Sequence, residues 1–159
     1  MPVSVPNEIQ ASFGNKVFSL SNLIALLAVD SDENPMAGLE MPADLGPFPM
    51  LTWTFSRSGQ RGTDAEGEKG GIARIQLDAW GSDPVVLNNI VGAINGLADP
   101  GLTTYSDGSL DTDSFVVTIL RLLSDWRKID WPSQIDKGTG KPLVQLSSDW
   151  EMRFGLRQS

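Results

Sequence analysis

A chain of 159 residues, 40% apolar and 20% charged, is long enough to bury a core and too balanced to stay unfolded, so a single domain over 1–159 is expected. Its 12 Lys and Arg stand against 20 Asp and Glu, a formal charge of -8 that leaves no basic footprint for gripping nucleic acid, although an acidic wall can surround a polyanion without binding it. Cysteine and histidine are both missing, which excludes disulfides, thiol nucleophiles, Cys/His zinc sites and imidazole acid–base chemistry.

No apolar run approaches the roughly 20 residues that span a bilayer. Met1 to Gln10 lacks the basic-then-apolar pattern of a signal peptide. The expectation is a soluble protein made in the cytoplasm, with no membrane partner. Residues 1–16 read as an N-terminal arm, because Pro2, Pro6 and Gly14 interrupt any regular pattern. Ser19 or Ser21 is then placed to cap a short helix whose Leu20, Leu23, Ile24 and Leu27 share one face. Asp30 to Asn34 ends it. From Asn34 to Pro49 four prolines and two glycines predict an extended surface connection.

Leu51, Trp53 and Phe55 alternate with Thr52, Thr54 and Ser56, the mark of a strand with one buried face. Residues 57–71 follow, with five glycines, mixed charges and no large apolar side chain before Ile72. That composition predicts a long flexible hairpin loop. Loops of this length are uncommon in compact domains unless they have a task. Arg57, Arg61, Asp64, Glu66, Glu68 and Lys69 are therefore the candidate interaction residues, in a segment expected to order on contact with a partner.

Ile72 to Ala98 is the stretch the rest is organised around. Ala73, Ile75, Leu77 and Ala79 alternate with Arg74, Gln76, Asp78 and Trp80, so a strand is predicted. Ser82 or Asp83 is suited to cap a helix that has Pro84 in its first turn. Leu87, Ile90, Val91, Ile94, Leu97 and Ala98 then recur at helical spacing until Asp99-Pro100-Gly101.

Gly101 to Ser114 is polar and turn-rich. The β-branched run Val116 to Ile119 predicts a strand over Phe115 to Leu123, continuing after a bulge through Trp126 to Trp131. Pro132 to Pro142 reads as a loop. The final strand, Leu143 to Leu156, places Val144, Leu146, Trp150, Met152, Phe154 and Leu156 on one face, with Gln145, Asp149, Glu151 and Arg153 on the other. Its length suggests an edge or interface strand.

These elements predict an α+β fold: one mainly antiparallel sheet of about four strands with two helices packed on one face. Trp80, Trp126 and Trp131 are assigned to the opposite face, whose apolar character would call for burial against another subunit.

Catalytic signals are weak. Gly138-Thr139-Gly140-Lys141 resembles part of a phosphate loop, but no glycine lies five positions before Gly140 and Pro142 stands where Ser or Thr would hold Mg²⁺. Asp125, Asp130, Asp149 and Glu151 are the carboxylates available for acid–base or Mg²⁺ work, yet their spacing picks out no pair. Serine hydrolysis lacks both its histidine and a G-x-S-x-G turn. No catalytic residue, metal or cofactor is assigned, and the expectation is a protein that is not an enzyme.

The pattern as a whole resembles a known family. A short helix over Leu20 to Leu27 leads through a Pro-rich approach to Phe48-Pro-Met-Leu-Thr-Trp-Thr-Phe55. A hairpin follows, then Ala73-Arg-Ile-Gln-Leu-Asp-Ala-Trp80, which runs directly into an amphipathic helix. Together with the closing Asp149-Trp-Glu-Met-Arg-Phe154, this is similar to the tail-completion, or tail-terminator, proteins of long-tailed bacteriophages. The likeness covers roughly Val17 to Leu156. The glycine-rich hairpin loop and the Pro-rich segment are both longer here than in the family's pattern.

The resemblance implies a ring, usually of six subunits, that sits on the last ring of the tail tube in the neck of the virion. Such a ring stops tube polymerisation and docks to the head-completion or connector protein. It implies partners that are the chain itself, the tail tube protein and that head-side protein, with DNA passing through the lumen without specific binding. Another neck or tail-tube structural protein is the nearest alternative. A small carboxylate-dependent enzyme or a monomeric binding module are the readings from other classes.

Overall fold

The alternating strands read from the sequence become neighbours in a single sheet. The computed structural model describes residues 5–39, 47–59, 70–95 and 110–157. In chain order the described elements are α1 (Asn7–Phe18), α2 (Ser21–Ile24), β1 (Ala37–Leu39), β2 (Met50–Gly59), β3 (Gly70–Gly81), α3 (Pro84–Ile94), β4 (Phe115–Ile135) and β5 (Pro142–Leu156). The sheet order is β1-β2-β3-β5-β4, with β1 parallel to β2 and the other neighbours antiparallel. This is an α+β fold with the helices on one face, as expected, but with five strands and three helices among the described residues in place of four and two.

The core follows from β3. Ala73, Ile75, Leu77 and Ala79 are fully excluded from solvent, as the period of two requires. Leu51 and Trp53 of β2 and Trp150, Met152 and Phe154 of β5 extend the same face. Onto it pack Ile9, Phe13 and Val17 of α1, Leu23 of α2, and Leu87, Ile90 and Ile94 of α3. Asp83 caps α3 by accepting the Val85 amide at 2.9 Å, and Pro84 occupies the first turn, where its missing N–H leaves nothing unpaired. Gly81 keeps the strand–helix junction tight: a Cβ there would lie 3.2 Å from Leu87 Cδ2. The helix stop expected at Asp99-Pro100-Gly101 lies outside the described residues.

Several expectations change. The N-terminal arm over 1–16 is largely a helix, Asn7–Phe18. Pro6 stands just before it and contributes its carbonyl, which accepts the Ile9 and Gln10 amides at 3.0 and 3.1 Å. Gly14 sits inside, where its weak helix propensity is overridden by packing: Phe13 meets Trp53 and Phe55 edge-on at 5.7 and 5.6 Å between ring centroids. The helix expected over Leu20 to Leu27 is a single turn, Ser21–Ile24, extended by tighter bonds from the Leu26 and Leu27 amides. Neither serine caps it; Ser19 instead donates back to the Lys16 carbonyl at 2.6 Å. The Pro-rich connection contains β1, which pairs Ala37 with Leu51.

Most consequential is β5. It is no edge strand: β3 lies along one side, from Gly81↔Val144 to Gly70↔Gly155, and β4 along the other. Its 15 residues are flanked by the 12 of β3 and the 21 of β4. The edge belongs to β4, which continues to Ile135 and reduces the predicted loop over Pro132 to Pro142 to a turn at 136–141. Gly140 closes that turn at φ 74, a left-handed conformation that glycine adopts without a Cβ clash. No described helix is long and apolar enough to cross a membrane.

Because Phe13 is fully buried against two aromatic rings, Phe13→Ala is expected to lower the unfolding free energy by about 3–5 kcal/mol. Urea unfolding followed by tryptophan fluorescence measures the loss.

Candidate assembly surface

Among the described residues no helix packs on the other face of the sheet, called here the uncovered face, and strand register determines what it displays. Side chains directly opposite one another share a face, so the pairings build rows across the sheet. One row runs Met50, Trp80, Gln145, Ile129; the next Thr52, Asp78, Ser147, Arg127; then Thr54, Gln76, Asp149, Ser124; then Ser56, Arg74, Glu151, Arg121. This face was expected to be apolar. It is polar over most of its area, with its tryptophans gathered at one end.

Its polar groups satisfy one another. Trp80 Nε1 donates to Thr52 Oγ1 at 3.0 Å. The buried Asp78 carboxylate accepts from Gln145 Nε2 at 2.9 Å and from Gln76 Nε2 at 3.0 Å, and Gln145 Oε1 in turn accepts from Trp131 Nε1 at 3.0 Å. Asp149 accepts from Arg127 Nη1 at 2.9 Å, while Arg127 Nη2 donates to Ser147 Oγ at 3.2 Å. Glu151 accepts from Arg153 Nε at 2.6 Å and from Arg121 Nη2 at 3.5 Å. These bonds fall into separate groups that together extend from β2 to β4, and those that cross strands help stabilise the face.

Electrostatics follow the same contacts. Burial acting alone would raise the Glu151 pKa. The Arg153 hydrogen bond and the attraction of Arg121 and Arg153 outweigh it, and the carboxyl titrates below its ordinary value. A carboxylate held ionised in this way ties strands together and is poorly placed to act as a general acid. Asp149 is likewise bonded to arginine, and the exposed Asp130 lies 3.7 Å from Lys128. Three of the four candidate carboxylates, Asp130, Asp149 and Glu151, therefore have separate cation partners. Among the described residues no group of three or more acidic side chains is placed to hold a metal ion.

Trp80 and Trp131 take the positions expected, with ring centroids 6.1 Å apart. Trp126 does not. It falls between the register shifts of β4 at Ser124 and Arg127, which turn it to the helical side, where it packs against the core beside Leu122. Its buried Nε1 has no hydrogen-bond partner among the described residues. Of the candidate loop residues, Arg61, Asp64, Glu66, Glu68 and Lys69 lie outside the described residues. Arg57 pairs with Ala73 at the end of β2, and its side chain also lies outside them.

Sequence reasoning passed over the β4–β5 hairpin as a surface in its own right. Ile129, Trp131 and Ile135 are exposed by 37%, 40% and 46% on the edge strand. The alternation Ile129, Trp131 was the available signal, masked by Pro132 and the glycine-rich turn. The turn itself is anchored. The buried Asp136 accepts the Ser82 hydroxyl at 2.7 Å and the Gly138 amide at 2.9 Å, and Thr139 Oγ1 meets Ser82 Oγ at 2.7 Å. The Gly138 to Lys141 segment is thus a hairpin turn clamped to the start of α3, and its hydroxyl and amide groups serve that clamp.

A second polar region, a recess of about 360 Å³, lies between α1 and the approach to β4. There Glu8 accepts from Thr112 Oγ1 at 2.8 Å, Ser114 Oγ at 3.0 Å and the Ser114 amide at 3.2 Å. These bonds, Thr112 first, lower its pKa and join the N-terminal helix to the edge strand. No known protein family and no curated protein matches this chain.

Two predictions follow from these contacts. Asp136→Ala leaves the Ser82 hydroxyl and Gly138 amide without their acceptor and is expected to cost about 1–3 kcal/mol in chemical denaturation. The second concerns pH. A folded-state pKa below the ordinary carboxylate value of about 4.3 gives stability that is present above that value and lost as pH falls through the folded one. Glu151→Gln should therefore show a shallower loss of melting temperature than the parent chain on acidification below about pH 4.3.

Proposed function

We propose that this chain is a structural protein of the neck of a long-tailed bacteriophage, a ring-forming tail terminator located in the virion and assembled in the host cytoplasm. The observation that carries the reading is the placement of the two segments with the strongest family likeness. Ala73 to Trp80 and Asp149 to Phe154 lie side by side in β3 and β5, with Ile75 opposite Trp150 and Gln76 opposite Asp149. Their apolar residues share the core and their polar residues share the uncovered face. The resemblance thus joins segments that form one packed unit.

Charge supports the same role. A formal charge of -8 repels a phosphate backbone, which suits a conduit through which DNA passes without being held. The ring joins copies of this chain to one another, to the tail tube protein on one side and to a head-completion or connector protein on the other. Its task is assembly, without catalysis or cofactor.

The test is electron microscopy of particles made with and without the protein. Its loss is expected to give overlong tails, or tails without heads, and supplying the chain in trans should restore normal length and joining. Tails of normal length that fail only to join heads would move the protein to another position in the neck. Complete absence of tubes would make it a tube subunit.

A further inference from the structure

We infer that copies of this chain associate head to tail, the outer edge of β4 in one copy receiving the β1 edge and the Asp30–Asn34 turn of the next. The inference rests on the ring reading for its biological setting and on the sheet itself for its geometry.

Among the described residues both ends of the sheet are open. In the order β1-β2-β3-β5-β4, no described strand pairs with the outer side of β4 or of β1. The first residues of β4 are met by the segment before it, where the Thr112 amide donates to the Phe115 carbonyl and Asp111 accepts the Val117 amide at 2.9 Å. Beyond the register shift that ends at Arg127, the run Arg127 to Trp131 is regular and its outer backbone groups face away from β5. A regular edge carrying exposed apolar side chains is a template for another strand.

Charge selects which strand. From Arg127 to Lys141 the hairpin holds four basic residues (Arg127, Lys128, Lys137, Lys141) and two acidic ones (Asp130, Asp136), in a chain whose overall charge is -8; Arg127 and Lys128 meet Asp149 and Asp130, and Lys137 and Lys141 carry the remaining basic charge at the turn. The opposite end of the sheet is the reverse. There the turn before β1 carries Asp30, Asp32 and Glu33, the last two exposed, beside Val29, which is 53% exposed. Asp30 Oδ1 accepts the Asp32 and Asn34 amides, each at 2.9 Å, so the turn is a fixed shape. The Val29↔Pro35 bridge closes it next to β1. Each edge therefore offers an apolar centre with a charged rim, and the two rims have opposite sign.

The same charges disfavour the alternative in which β4 pairs with β4 of a second copy about a twofold axis. That arrangement sets two basic hairpins against each other. Joining opposite ends of the sheet is a heterologous contact, which propagates from copy to copy and closes into a ring when the rotation permits.

A chain without cysteine makes the test clean, because each introduced thiol is the only one present. Full-length Lys128→Cys and Asp32→Cys chains are purified, mixed and treated with a short bis-maleimide linker. The expected result is a covalent dimer in the mixture and none in either variant alone. A chain bearing both substitutions should give a ladder ending in a closed species. Lys128→Glu should weaken self-association in sedimentation by at least about tenfold, and adding Asp32→Lys to the same chain should restore it. Far-UV circular dichroism verifies that each variant is folded.

Cross-linking of Lys128→Cys with itself would overturn the inference in favour of a twofold edge. Monomeric sedimentation of the parent chain with no cross-link in any mixture would overturn it outright. The two readings fail separately. Ladders from a chain whose loss leaves tail length and joining unchanged would refute the terminator and keep the interface. Normal control of tail length without cross-links would do the reverse.

Discussion

The structure depends on one apolar sheet face that can be covered from only one side. In β3 the residues Ala73, Ile75, Leu77 and Ala79 are all excluded from water, while their neighbours Arg74 and Gln76 are not. Burying such a face is the main favourable term in forming the domain. All three described helices serve it, and each is short enough that its stability comes from this packing more than from its own propensity. The aromatic group Phe13, Trp53 and Phe55 shows how directly. It fixes α1 against β2 despite a glycine within the helix.

The uncovered face solves a different problem. A sheet bare on one side must satisfy its polar groups there or expose apolar ones. Here the cross-strand bonds from Trp80 to Thr52, from Trp131 through Gln145 to Asp78, and from Arg127 and Arg121 to Asp149 and Glu151, do the former. The polar groups of this face are therefore satisfied within it, and the exposed apolar side chains of β4, Ile129, Trp131 and Ile135, lie along the edge strand. The register shifts of β4 contribute to that division. They turn Trp126 toward the core and keep Arg127, Ile129 and Trp131 on the uncovered side. Bulges and an edge lysine also limit indiscriminate pairing, which a specific assembly strand must avoid.

A ring built from such a unit would keep the core of each subunit independent of its neighbours. The surfaces available for contact are the hairpin, the acidic turn and the polar face, all of them outside the packing of β3 against α3. In the proposed ring, assembly and folding would then draw on separate residues.

The elements whose pattern is local were legible in the residues alone. Alternation in β2, β3 and β5 and the Asp83–Pro84 cap of α3 each depend on neighbours a few positions apart, and each appears where the spacing put it. The missed elements depend on distant partners. The N-terminal helix is held by Trp53 and Phe55, β1 exists through its pairing with β2, and β4 extends to Ile135 because β5 lies beside it and Ser82 clamps the turn. The candidate surface divided the same way. Trp80 was placed by its alternation with Ala79, whereas Trp126 and Trp131, assigned to one face, lie five positions apart in β4 and take opposite faces. Which strand becomes the edge is likewise a property of sheet order. The long final strand carries the pattern of a half-buried strand whether it lies at an edge or in the middle. The sequence alone determined which face of β2, β3 and β5 enters the core; only the tertiary structure decided which strand lies at the edge and what the far face displays, because strand order is set by contacts between residues far apart in the chain.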